Sequence, residues 1–328
     1  MRYLFLLCAF TLGFALPVSA QGLSPGQREA ATALLGSRTP LWFIASPGAY
    51  RGGGVTLGHH MPTQDRYLTL RYVRQEQGHV AHLSLSHHTH APRDGACLSK
   101  EKEINYTHPQ LGSWRLCSSV NPHHEAFAMV RAFASTRTRP YLRVDFVGPP
   151  ADLMQLMGQL KPLPQSTTGA PEGNISTLAS RFYGPTQQVH WQSAGYAAGD
   201  NQLFWKDATS KPQWNQVYHR AIPYYAQQVT LHMTALFRHT PHSQIPAKAS
   251  RCSPGQTASQ YVHPRLGPYR LCSKTLSTPA HPSGTDQTPL VHQVVYARPL
   301  AGNKRPHVSF HLHGLPQEMQ TLLGQLDF

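Results

Sequence analysis

Histidine is the side chain whose number and spacing first point to chemistry. There are 21 histidines against 15 carboxylates in 328 residues, and several cluster: His59-His60-Met61, His87-His88-Thr89-His90, His123-His124-Glu125 and His311-Leu312-His313. Residues two apart on a strand share a face, so His82, His88 and His90 can face one way, as can His311 and His313. Imidazoles beside a methionine suit copper or zinc in an exported chain. No Cys₂His₂ or His-Glu-x-x-His spacing occurs, however, and Ala128 stands where a second ligand would follow His124-Glu125. The first reading is therefore compositional, with His, Gln, Thr and Pro replacing Lys and Glu across the surface and no cofactor expected. The alternative is a copper or zinc site drawn from His82, His88, His90, His311 and His313.

The cysteines are more regular. Cys8 lies in an N-terminal apolar run, and the other four form two pairs of equal spacing, Cys97/Cys117 and Cys252/Cys272. Without a Cys-x-x-Cys, the pairs read as structural disulfides rather than redox or metal thiolates. Closing a loop of this size is worth about 3 kcal/mol.

Motifs for catalysis are missing. No Gly-x-Ser-x-Gly, Walker or dinucleotide glycine pattern occurs, and Gly52-Gly53-Gly54 reads as a loop. The expectation is a non-catalytic protein; a hydrolase with its site in an interdomain cleft is a further alternative.

Charge points to a partner. The 29 basic residues outnumber the 15 acidic. Arg2, the apolar run that follows and Val18-Ser19-Ala20 describe a signal peptide over residues 1–20. Its removal leaves 28 basic residues against 15 acidic, a net +13, and no transmembrane span is expected in the mature chain. Such a surface favours anionic partners. Arg115 and Arg270 each follow an aromatic residue, Trp114 and Tyr269, and with Arg139 and Arg305 they are candidates for phosphate, carboxylate or sugar-acid groups. No aromatic–basic signature for nucleic acid is present. The expected partner is an envelope protein, an anionic envelope polymer or a lipid headgroup, met in the periplasm or outside the cell.

These residues sit on a chain written twice. The block from Cys97 through Tyr106, His108-Pro109, Leu111-Gly112 and Arg115-Leu116-Cys117-Ser118 returns 155 positions later as Cys252, Tyr261, His263-Pro264, Leu266-Gly267 and Arg270-Leu271-Cys272-Ser273. Downstream, Arg139-Pro140 to Pro150 matches Arg305-Pro306 to Pro316, now shifted by 166. The histidine clusters do not recur in this way. His108 and His263 do, but Glu101 and Glu103 become Gln256 and Ala258, so these histidines read as turn or packing elements without a catalytic partner. Asp152 and Glu318 open the last helix of each copy, where an acid complements the helix dipole. Paired modules also favour binding, because they raise avidity for a repetitive partner.

Each copy is expected to be α+β: an antiparallel sheet, a C-terminal amphipathic helix and one intradomain disulfide. The expected division is a first domain over 23–162, a Pro/Gly/Ser/Thr-rich linker over 163–172 and a second domain over 173–328. Ser24-Pro25-Gly26-Gln27 predicts a capping box and a helix to Leu35. Alternation predicts strands over 67–74, 80–88, 112–119, 126–134 and 141–147, with counterparts at 229–237, 268–273, 290–297 and 307–312. Leu153, Leu156, Met157 and Leu160 form the stripe of a helix over 150–160, repeated at 316–326.

Overall fold

A computed structural model describes residues 23–37, 39–76, 78–91, 96–135, 140–163, 174–183, 190–191, 195–224, 229–240, 251–277, 290–303 and 307–327. Residues 1–20, expected to be a signal peptide, residues 164–172 of the expected linker, Arg139 and Arg305 lie outside this set.

One order of elements occurs twice. The first half runs α1 (Pro25–Leu35), β1 (Trp42–Ile44), β2 (Arg51–His60), β3 (Asp65–Glu76), β4 (His79–His88), β5 (Lys102–His108), β6 (Gly112–Val120), β7 (Ala128–Ala134), β8 (Tyr141–Gly148), α2 (Pro150–Gly158) and β9 (Leu160–Pro162). The second runs α3 (Ile175–Tyr183), β10 (His190–Trp191), β11 (Ala197–Trp205), β12 (Gln213–Tyr224), β13 (Val229–Thr240), β14 (Thr257–His263), β15 (Gly267–Ser277), β16 (Val291–Pro299), β17 (His307–Gly314), α4 (Met319–Gly324) and β18 (Leu326–Asp327). A 3₁₀ turn, Pro316–Glu318, leads into α4. The fold is mostly antiparallel β with few helices, which corrects the α+β expectation. The additional strands include β2 and β11, whose Gly-rich and Asp/Asn-containing sequences hide the period of two.

Fourteen strands form one sheet in the order β14-β15-β16-β17-β13-β12-β11-β2-β3-β4-β8-β7-β6-β5, and the short β1–β9 and β10–β18 pairs stand apart. The halves meet where β2 pairs antiparallel with β11, Leu57 opposite Leu203. Gly52-Gly53-Gly54 belongs to β2 rather than to a loop, with a register irregularity between Gly52 and Gly54. Gly54 has φ +121°, and a Cβ there would lie 2.7 Å from Phe204 Cε2 and 2.8 Å from the Trp205 carbonyl oxygen, so only glycine suits the junction.

Strand alternation gives the sheet an apolar inner face and a polar outer face. Leu57, Leu68, Leu85, Val144, Ala132 and Trp114 lie inward in the first half; Phe237, Leu312, Val295 and Tyr269 do so in the second. One apolar cluster joins the first half to Ile175, Leu178, Ala179 and Tyr183 of α3 and to Leu203, Trp205 and Trp214; another gathers Ala235 to Leu323. At the start of α1, Ser24 and Gln27 form the capping box, with Pro25 in the first turn. In α2, Leu153, Leu156 and Met157 are buried. Both disulfides are present, Cys97–Cys117 and Cys252–Cys272, with Cα separations of 5.1 and 5.3 Å.

Asp152 and Glu318 do more than complement a dipole. Asp152 pairs with Arg74 at 2.7 Å and accepts from the Tyr50 hydroxyl at 3.0 Å, while the guanidinium lies 5.9 Å from the Tyr50 ring centre. Glu318 accepts from Arg220 at 2.8 and 3.2 Å, and that guanidinium lies 5.6 Å from the Tyr196 ring. Each set ties the C-terminal segment of its half to the sheet. Arg74→Met and Arg220→Met are each expected to lower the unfolding free energy by about 2 kcal/mol, because a partly buried carboxylate loses its charged donor. Urea midpoints check this; unchanged midpoints would mean that the ion pairs contribute nothing.

Candidate functional site

The two outer faces have diverged in charge. In the first half three outer-face arginines have carboxylates beside them: Arg115 Nε is 3.4 Å from Glu103, Arg131 pairs with Glu101 at 2.5 Å, and Arg143 pairs with Asp145 at 2.7 Å. The hydrogen bonds from Arg131 hold the Glu101 carboxyl below its usual range. The second half differs. Its neighbouring strands β14, β15, β16, β17, β13 and β12 contain no Asp or Glu at all.

Across those strands the register assembles an arginine row. Arg270 stands opposite Arg298, and Arg238 opposite Ser309, all on the outer face. Arg298 Nη1 donates to the Arg251 carbonyl at 2.9 Å. Arg270 Nε is buried with no hydrogen-bond partner among the described residues, and Arg238 is exposed. Lys274 adds a further exposed cation on this face. Arg115 and Arg270 occupy matching places, but their strands are each second from an opposite edge of the sheet. Counted along the strand order, β15 and β6 lie eleven strands apart.

The histidines separate into several settings. His82 sits six residues from His88 on β4, about 20 Å along the strand. His88 Nδ1 contacts Asp65 Oδ2 at 2.6 Å, and Asp65 Oδ1 accepts from the Thr89 and His90 backbone N–H groups, both at 3.0 Å. Burial pushes the Asp65 carboxyl up, but hydrogen bonding and charge from His88, with the Thr89 and His90 donors, outweigh it and hold the group below its usual range. His88 and His90 thus converge on a carboxylate, without His82.

On the second half, His313 Nε2 lies 2.6 Å from His292 Nδ1, while His311 stacks on Tyr296 with ring centres 4.4 Å apart. Among the described residues, the one set of three or more His, Cys, Asp or Glu already within mutual ligand reach is Cys97, Glu101 and Cys117, whose thiols are spent in the disulfide. His108 and His263 act as turn locks. Each Nδ1 accepts from the backbone N–H groups two and three residues on, at 3.1–3.2 Å.

No family model matches the chain, and no curated protein does. Kievitone hydratase from Nectria haematococca, a solved structure, aligns over 90% of this chain and 95% of its own at 9% identity, with a TM-score of 0.15, too low to carry an argument. Among the described residues no helix is long and apolar enough to cross a membrane.

Two histidines outside the expected set also matter. His87 faces Leu68 across β3–β4, His239 faces Trp214 across β12–β13, and both are fully buried. His87 Nε2 accepts from the Trp42 backbone N–H at 2.7 Å; His239 Nε2 lies 3.1 Å from Gln216 Oε1 and stacks on Trp214 at 4.4 Å. Desolvation lowers each imidazole to about 3. They are 152 positions apart, which matches neither the 155 nor the 166 shift of the repeated blocks, so the sequence repeat does not pair them. Arg238, Arg298 and His292 likewise needed the strand register to become visible.

Proposed function

We propose that this chain is an exported, non-catalytic binding module whose second-half outer face takes an anionic envelope partner through phosphate or carboxylate groups. The carrying observation is the face itself: Arg238, Arg270, Arg298 and Lys274 on strands that hold no carboxylate. A cation whose own and neighbouring strands hold no acid keeps more of its field for an outside ligand than Arg131 or Arg143, each of which is paired with a carboxylate. The signal-like residues 1–20 and the two disulfides support export to an oxidising compartment.

Sedimentation with vesicles tests the reading, comparing phosphatidylglycerol-containing vesicles with pure phosphatidylcholine at low and high salt. Binding to the anionic vesicles that weakens with salt is expected. Each basic residue at such a surface is worth about 1 kcal/mol, so the triple variant R238Q/R270Q/R298Q should bind roughly 100-fold more weakly. R115Q should bind as the parent does. Equal binding to neutral vesicles, or an equal loss in R115Q, would sink the proposal.

A further inference from the structure

The geometry points to a zinc-class metal site built from His292 on β16 and His311 and His313 on β17, a binding function that does not rest on the anion reading. His292 Nδ1 and His313 Nε2 face each other at 2.6 Å. One proton lies between them, so one nitrogen already presents its lone pair into the gap. His311 precedes His313 by two residues on the same face, with its partner Tyr296 next to the outer row. Its Nε2 is buried with no hydrogen-bond partner among the described residues. A buried ring nitrogen left unsatisfied costs stability, and a bound metal ion would satisfy it.

The donor set selects the ion. Three imidazoles on strands without a carboxylate offer no oxygen cage for calcium or magnesium. They suit zinc or copper(II), with a fourth position left for water. Two nitrogens on a tetrahedral zinc lie roughly 3.3 Å apart, so the pair must open by about 0.7 Å. One of the two rings moves its proton to its other nitrogen, and His311 turns from Tyr296 to complete the set. The site belongs to the second copy alone, since the first has Phe127, Asp145 and Val147 at the matching strand positions.

Calorimetric titration of the chelator-treated mature chain with zinc chloride tests this, with magnesium chloride as the control. One equivalent of zinc should bind, copper(II) should bind more tightly, and magnesium should not bind. H292N, H311Q and H313Q should each weaken zinc by more than the roughly 10–100-fold that loss of a mere supporting partner produces. H82Q should leave binding unchanged. Because His292 is buried and H292N can lose its fold, zinc protection of the three rings from carbethoxylation, read by mass spectrometry on the unaltered chain, provides a second measure. Absence of zinc binding, binding that survives in the H311Q/H313Q double variant, or no protection of these rings would overturn the assignment.

Discussion

Acidification from about pH 7 to about pH 4 is expected to remove several kcal/mol of folding stability, through His87 and His239. Both rings are fully buried and neutral in the folded chain. His87 uses Nε2 as an acceptor, so its proton sits on Nδ1; His239 directs Nε2 at the Gln216 carbonyl, which leaves Nδ1 bare and buried. Protonating either ring would bury a charge. Their folded values of about 3 lie below the ordinary 6.5, so between those limits the unfolded chain binds more protons. Stability is therefore complete above about pH 6.5 and is lost as pH falls towards 3, by an amount on the order of several kcal/mol for each ring. Urea unfolding across this range should show the loss. His87→Gln and His239→Gln, which retain a polar group without titrating, should flatten the profile in steps. A double variant with the parent's pH dependence would assign the acid sensitivity elsewhere.

Gly54→Val is expected to destabilise the chain by about 4 kcal/mol, the combined effect of strain and overlap. The φ of +121° is hostile to a β-branched residue, and the new Cβ would meet both the Phe204 ring and the Trp205 backbone oxygen. A side chain can rotate away, but the carbonyl belongs to the β2–β11 ladder and cannot yield without opening it. Gly52→Ala is the matched control, because a Cβ there meets nothing within 4 Å. The urea midpoint should drop for G54V and stay near the parent for G52A, with faster amide exchange in β2 and β11. Equal midpoints would show that the junction tolerates a side chain.

The repeated Cys97 and Cys252 blocks made the duplicated layout legible, because cysteine spacing and turn residues survive divergence. The alternation of Leu68, Leu70 and Tyr72 and the stripe of Leu153, Leu156 and Met157 located elements well. The junction was not legible: its glycines conform to a neighbour far away in sequence, and local pattern carries no record of that. The arginine row escaped for a related reason. Arg238, Arg270 and Arg298 look scattered along the chain and become neighbours only through antiparallel register, whereas Arg115 and Arg270 look equivalent and lie on strands eleven apart in the sheet order. Histidine clusters in sequence were poor guides in the same way, since His292 reaches His313 from another strand while His82 lies along the strand from His88.

The ladder between β2 and β11 exchanges partners evenly about Leu57 and Leu203: Thr56 faces Phe204, and Gly58 faces Gln202. Such an edge is complementary to its own duplicate. A molecule with one copy would offer it to a second molecule as the isologous contact of a C2 homodimer, and both subunits would then carry the same outer surface. Fusion within one polypeptide makes that association independent of protein concentration and releases the subunits from identity. One surface carries carboxylates, the strands of the other hold none, and the cationic row is thereby present once per chain.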